Sequence, residues 1–230
     1  MKTELSSTIY KLILDIKNAG KMDNSLITEV VNSNKLSKKD LNAFVSFGHA
    51  NSESYGRKLI FDNGNFKLFL MSWKAGDFTA IHNHGYSEWG CVYFFGKASH
   101  RLYEIVDDEL KIIQKDNFHE SQIAAVCGDL THMMGNAGLK NFTTLHIYGS
   151  NTRKSNVSEN AKVYFPEFQK AVTTMGQAYL NIDRSLILSE EPLLKINQDV
   201  LIDYFTLVKP FYERNKQFEI IRKMDKQIAS

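Results

Sequence analysis

The 230-residue chain has only two cysteines, Cys91 and Cys127. They make neither a disulfide framework nor a CxxC metal knuckle, so a reducing cytosol is the natural setting. There are only three prolines, no repeat and no low-complexity stretch, which leaves no sign of a solenoid or a disordered tail. No apolar run approaches the roughly 18 residues of a membrane span. The opening MKTELSSTIYKLILDIKNAG is amphipathic and interrupted by acidic residues, unlike the unbroken apolar segment of a secretory signal. Net charge is +2 and the pI near 8.4, and no Lys/Arg cluster interleaves with aromatics. A nucleic-acid partner is therefore not expected. What is there is ordinary globular composition, 43% hydrophobic and 23% charged, in a length that suits one domain with its own core.

Period and turn chemistry divide the chain into three parts. Residues 1–50 read as helices packed on something else, with Ile9, Leu12, Ile13 and Ile16 at helical spacing and Gly20 ending the run. A second helix fits 24–33, and Ser37 is an N-cap candidate for a third. Residues 51–165 read as short strands rich in β-branched and aromatic residues: 57–63, 66–73, 91–95, 99–106, 110–116, 121–127 and 142–149. Turn signals such as DNGN, KAGD and GNAG separate them. Many strands without helices between them predict an antiparallel barrel or sandwich. Residues 166–230 read as a helical extension, with one helix over 166–181 and a longer one over 196–227 that Pro210 should kink or split. The broad apolar face of the longer helix needs cover, from the barrel or from a second subunit as a homodimer.

The chemistry centres on GDFTAIHNHGYSEWGCVYFFG, residues 76–96. His82 and His84 share one face of a strand, because side chains alternate, and Asn83 turns away. Two imidazoles held so make half a metal site. A third ligand is needed, and His100, His132 and His146 are candidates.

The stretches GDFTAIHNHGYSE and HMMGN resemble the two motifs of the cupin superfamily: Gly, five residues, His-x-His, three residues, Glu, then His, three residues, Asn. Over about residues 55–150 the chain further resembles the cysteine dioxygenases, or thiol dioxygenases. Tyr55-Gly56-Arg57, Trp73-x-x-Gly76, His82-x-His84, His132 with Asn136, and Thr144-x-His146-x-Tyr148 follow one another as in that family. The resemblance implies a mainly β, jelly-roll-like cupin barrel holding Fe(II) through His82, His84 and His132. It implies Arg57, Tyr55 and Trp73 around a small thiol carboxylate, most simply L-cysteine, which O2 oxidises to a sulfinate. Thr144, His146 and Tyr148 lie at period two, so Thr144 can orient His146, and His146 the Tyr148 hydroxyl. Animal members carry a Cys–Tyr thioether, but Cys91 falls off the matching place, so no link to Tyr148 is expected.

Glu88 stays open. It is either a fourth metal ligand, as in many cupins, or a contact for a substrate ammonium. With Glu88 as a ligand, the alternative is a cupin enzyme acting on a non-thiol molecule; a third reading is a cupin that only binds a small molecule. Three histidines alone would also suit zinc. His49, His100 and His119 read as surface or structural residues.

Overall fold

The computed structural model describes residues 4–229. Two helices open it, α1 (Ser7–Asn18) and α2 (Asn24–Ser33), followed by a 3-10 segment, Lys38–Phe44. Ser6 and Asp23 cap the helices by accepting from the backbone N–H groups of Ile9 and Leu26.

Thirteen strands follow. They are β1 (Gly56–Asp62), β2 (Phe66–Trp73), β3 (Ile81–His82), β4 (Trp89–Phe94), β5 (Ala98–Val106), β6 (Glu109–Phe118), β7 (Ile123–Ala125), β8 (Thr131–Gly135), β9 (Phe142–Gly149), β10 (Ala161–Phe165), β11 (Lys170–Thr174), β12 (Ile187–Pro192) and β13 (Lys195–Ile196). One sheet runs β1-β2-β9-β4-β7 and the other β12-β11-β10-β3-β8-β5-β6-β13. All pairings are antiparallel except β13 with β6. Two helices close the chain, α3 (Gln198–Arg214) and α4 (Phe218–Ala229).

The layers follow from alternation. Inward residues of the two sheets, including Phe69, Met71, Val92, Phe94, Met134 and Tyr148, make a core between them. The other face of the five-stranded sheet, with Leu68, Leu70, Leu145 and Ile147, packs on Ile9, Leu12, Ile27 and Val31 of α1 and α2. The outer face of the larger sheet takes Val200, Tyr204, Phe205, Val208 and Phe211 of α3. The broad apolar face of that helix is thus covered by its own barrel. Strand β9 is central in its sheet and buried on both faces along its whole length. That makes it a stiff platform for inward side chains.

The C-terminal third differs from the expectation. Residues 170–174 form β11, not a helix, and hairpin back from β10 around Pro166–Phe168 and Gln169, whose φ is 53°. The run Lys-Ala-Val-Thr-Thr is β-branched, and its backbone bonds to β10 and β12 on both sides. The sheet therefore extends to residue 196, past the expected boundary at 165. α3 also runs through Pro210. The break comes later, after Asn215, where Lys216 takes a φ of 56°.

Buried Asp77, next to the Gly76 turn, ties the parts together. Its carboxylate lies 3.0 Å from His49 Nε2 and 2.7 Å from an Arg214 guanidinium nitrogen at the end of α3. His49 is thus buried and paired with Asp77, and His119 is exposed.

Candidate metal centre

β3 is only two residues long, and its register does the assembling. His82 pairs across the ladder with His132 of β8. His84 lies beyond the end of β3, where the chain turns at Gly85 with a φ of 56°. One ring nitrogen from each of His82, His84 and His132 falls within 4.8 Å of the others. His84 Nε2 and His132 Nε2 are 2.9 Å apart. Two metal–nitrogen bonds of about 2.0–2.1 Å set at a right angle put their nitrogens about 3 Å apart. The donor set therefore fits a single divalent ion, and in an ion-free protein the same contact can be an N–H···N bond.

The tautomers agree with that fit. His82 Nδ1 lies 3.0 Å from the Ala80 carbonyl, to which it can donate, leaving Nε2 free. His132 Nδ1 is 2.9 Å from His100 Nε2. Burial keeps the rings neutral. It pulls His82 down to about 4 and, with the neighbouring imidazoles adding to the effect, His84 and His132 well below their ordinary value. A neutral imidazole offers the lone pair that a metal needs.

Facing this triad, β9 carries a hydrogen-bonded chain. Trp73 Nε1–H donates to Thr144 Oγ1 at 2.8 Å; Thr144 Oγ1 lies 2.7 Å from His146 Nε2; His146 Nδ1 lies 2.6 Å from the Tyr148 hydroxyl. The direction of the chain follows from the donor inventory. An indole N–H can only donate, so Thr144 accepts there, and its own proton, which would otherwise be buried without an acceptor, goes to His146 Nε2. His146 then carries its proton on Nδ1 and donates to the Tyr148 oxygen. This leaves the Tyr148 O–H free to donate into the cavity. Burial and the charge of Arg57 hold His146 at about 3, and burial keeps the Tyr148 phenol protonated. The Tyr148 ring sits 5.0 Å from that of His84.

The cavity between these groups is small, about 20 Å³. Its walls include Tyr55, Met71, Ser158, Gly176 and Ala178 besides the histidines and Tyr148. Tyr55 stacks between Trp73 and Tyr179, with ring centroids 5.0 and 4.5 Å away. Arg57 lays its guanidinium 3.8 Å over the Phe69 ring, and its buried Nε has no partner. Trp73 is completely buried, and its indole N–H joins the chain of hydrogen bonds through Thr144.

Two expectations change. Glu88 does not join the triad. Its exposed carboxylate accepts from Ser150 Oγ at 2.8 Å, from the Asn151 N–H at 2.7 Å and from the Thr152 hydroxyl. Partial burial would raise its pKa, but these bonds outweigh it and hold the carboxyl below its ordinary value. The turn at Gly85 is the reason, since counting four residues on from His84 assumes a strand that does not continue. Conversely, His100 is a buried partner of His132, although nothing in its local sequence marks it. Its place depends on β5 pairing with β8, a contact 32 residues apart. Cys91 faces away, into the core shared with α1 and α2, while Gly90 stands opposite Tyr148.

Residues 2–163 match the cysteine dioxygenase type I family. The chain belongs to that family. Its described residues form the two sheets set out above, with helices at both ends. Among solved structures, it is similar to a conserved double-stranded β-helix protein of Klebsiella pneumoniae, with 13% identity, a TM-score of 0.38, and coverage of 51% of this chain and 91% of that one. It is also similar to a cupin domain from Schizosaccharomyces pombe, with 10% identity, a TM-score of 0.37, and coverage of 43% and 66%. Membership of the cysteine dioxygenase family implies an enzyme of dioxygenase type, and the three-histidine cluster can hold its metal. Among the described residues no helix is long and apolar enough to cross a membrane.

Proposed function

We propose that this chain is a mononuclear non-haem Fe(II) thiol dioxygenase that converts a small thiol carboxylate, L-cysteine first among them, to its sulfinate. The overall change is RSH + O2 → RSO2H, in which sulfur is oxidised and both oxygen atoms are retained. The observation that carries the reading is the buried all-histidine triad set against the Trp73–Thr144–His146–Tyr148 chain. Bound Fe(II) would supply open coordination positions and the redox change that lets O2 react with a thiol sulfur.

The protein's own groups do the rest. His82, His84 and His132, neutral through burial, are ready to ligate without first losing a proton. Tyr148 presents a hydroxyl proton whose direction is set by three bonds behind it, so it donates to a polar atom at the reacting end of the substrate. The Arg57 guanidinium, flat on Phe69 and with an unpartnered Nε, offers a fork for a carboxylate. The alternative with Glu88 as a fourth ligand loses support, because that carboxylate is engaged elsewhere.

The test is O2 consumption by anaerobically prepared, Fe(II)-loaded protein with L-cysteine, with the product weighed by mass spectrometry. One O2 per thiol and a sulfinate product are expected. Uptake with another thiol only would change the substrate and keep the reaction. No uptake with any thiol would overturn the reading.

A further inference from the structure

His100 stands on β5 opposite Met134, two residues along from His132 on β8. The two histidines are diagonal neighbours on one face of the ladder, with ring centroids 5.1 Å apart. His100 is only 9% exposed, and its Nε2 is 2.9 Å from His132 Nδ1. If His132 is to offer Nε2 to a metal, its proton must sit on Nδ1. His100 Nε2 must then be the acceptor, and the proton of His100 must sit on its own Nδ1. That atom is buried and has no partner. Beside it Phe118 presents an aromatic ring 5.2 Å away, in a cavity of about 340 Å³ lined by Leu102, Val126 and Leu130 together with Gln114 and Asp116.

We propose that His100 is a positioning residue of the metal centre: it accepts the Nδ1–H of His132, fixing the tautomer that leaves Nε2 for the metal and setting how electron-rich that ligand is. The partner atoms of metal-bound histidines are typically carboxylates, carbonyls or water. Here His82 uses the Ala80 carbonyl, whereas His132 uses a neutral imidazole. A neutral acceptor draws the proton less strongly than a carboxylate, so His132 is a weaker donor than it would be beside a Glu. The choice of acceptor sets the metal's affinity and reduction potential through one ligand alone.

The inference rests on the reading of His82, His84 and His132 as a metal site, and the experiment separates the two. Full-length, metal-free protein is titrated with Co(II), followed by its visible absorption, and anaerobically with Fe(II). The variants are His100→Leu, His100→Gln and His100→Glu, with circular dichroism of each metal-free protein as the control for folding. One site is expected in the unsubstituted protein. Loss of the acceptor in His100→Leu should weaken binding by about 10–100-fold. His100→Gln, whose amide oxygen can accept, should recover most of that loss. His100→Glu should bind at least as tightly as the unsubstituted protein and lower the iron reduction potential. If His100→Leu fails to fold, Glu binding more tightly than Gln still supports the proposal, and equal binding overturns it. Folded His100→Leu with unchanged affinity and an unchanged Co(II) spectrum overturns it, as does a Gln variant as weak as Leu. If the unsubstituted protein binds neither metal, the metal reading falls and the role of His100 falls with it.

Discussion

Gly90 lies directly across the β4–β9 ladder from Tyr148. A Cβ built at residue 90 would stand 2.5 Å from the Ile147 carbonyl oxygen and 3.2 Å from Tyr148 Cδ1. The glycine therefore leaves room for the Tyr148 ring. Replacing it with alanine must push β4 away from β9 or turn the ring. Gly90→Ala should cost about 1–3 kcal/mol of stability and lower kcat more than it changes metal affinity. Urea unfolding and a metal titration on the same preparation check this.

The same register turns Cys91 away from Tyr148. Its thiol is wholly buried among Leu145, Ile147 and the helices, and burial pushes it up to about 12. No Cys–Tyr thioether should form, even after many turnovers. Peptides containing Cys91 and Tyr148 should run separately at their unmodified masses. Cys91→Ala should keep kcat and lose about 1 kcal/mol of stability.

The chain from Trp73 to Tyr148 predicts a graded series. Tyr148→Phe removes the proton that the chain orients and should lower kcat/KM by about 10²-fold or more, with metal content unchanged. Thr144→Val deprives His146 Nε2 of its donor and frees the imidazole to change tautomer. It should lose most of the same activity, although Thr144 itself is fully buried. Equal activity in Thr144→Val and the unsubstituted protein would show that the direction of these bonds does not matter.

Two buried groups act on stability in opposite directions with pH. His146 is held at about 3 by burial and by Arg57, against about 6.5 in an unfolded chain. Between those values the unfolded chain binds a proton that the folded one refuses. Its contribution is whole above about pH 6.5 and is lost as pH falls toward about 3. Glu167, under α3, is pushed up to about 7 by burial, despite hydrogen bonds donated by Tyr212 and Tyr204. Here the folded state keeps a proton that the unfolded state gives up from its ordinary 4.5 onward. That contribution is whole below about pH 4.5 and is lost as pH rises through about 7. Glu167→Gln should therefore flatten a plot of urea midpoint against pH between about pH 4.5 and 7 and leave the slope below about pH 4.5 unchanged. Parallel curves for the two proteins across that window would exclude Glu167 as the cause.

The site was legible in the sequence where local period carries the information. His82 and His84, and Thr144, His146 and Tyr148, are neighbours along the chain, and alternation alone sets them side by side. His132 and Arg57 came through the family resemblance, since their approach depends on how strands pair. His100 shows the limit. Its meeting with His132 is decided by a cross-strand register that no local pattern carries. The misread helix over 166–181 has a similar cause: a short Ala-Val-Thr-Thr run becomes a strand because β10 and β12 are there to bond it. Glu88 was misplaced by one turn, at Gly85, which breaks the count along the strand.

Gly176 and Ala178, which wall the cavity opposite β9, lie past the end of the family match at residue 163. The cavity wall is thus drawn from both sides of that boundary. His82, His84, His132, Arg57 and the Trp73–Tyr148 chain fall inside the match, while Gly176 and Ala178 fall outside it. A change at residue 178 would therefore reshape the cavity without altering any histidine of the cluster.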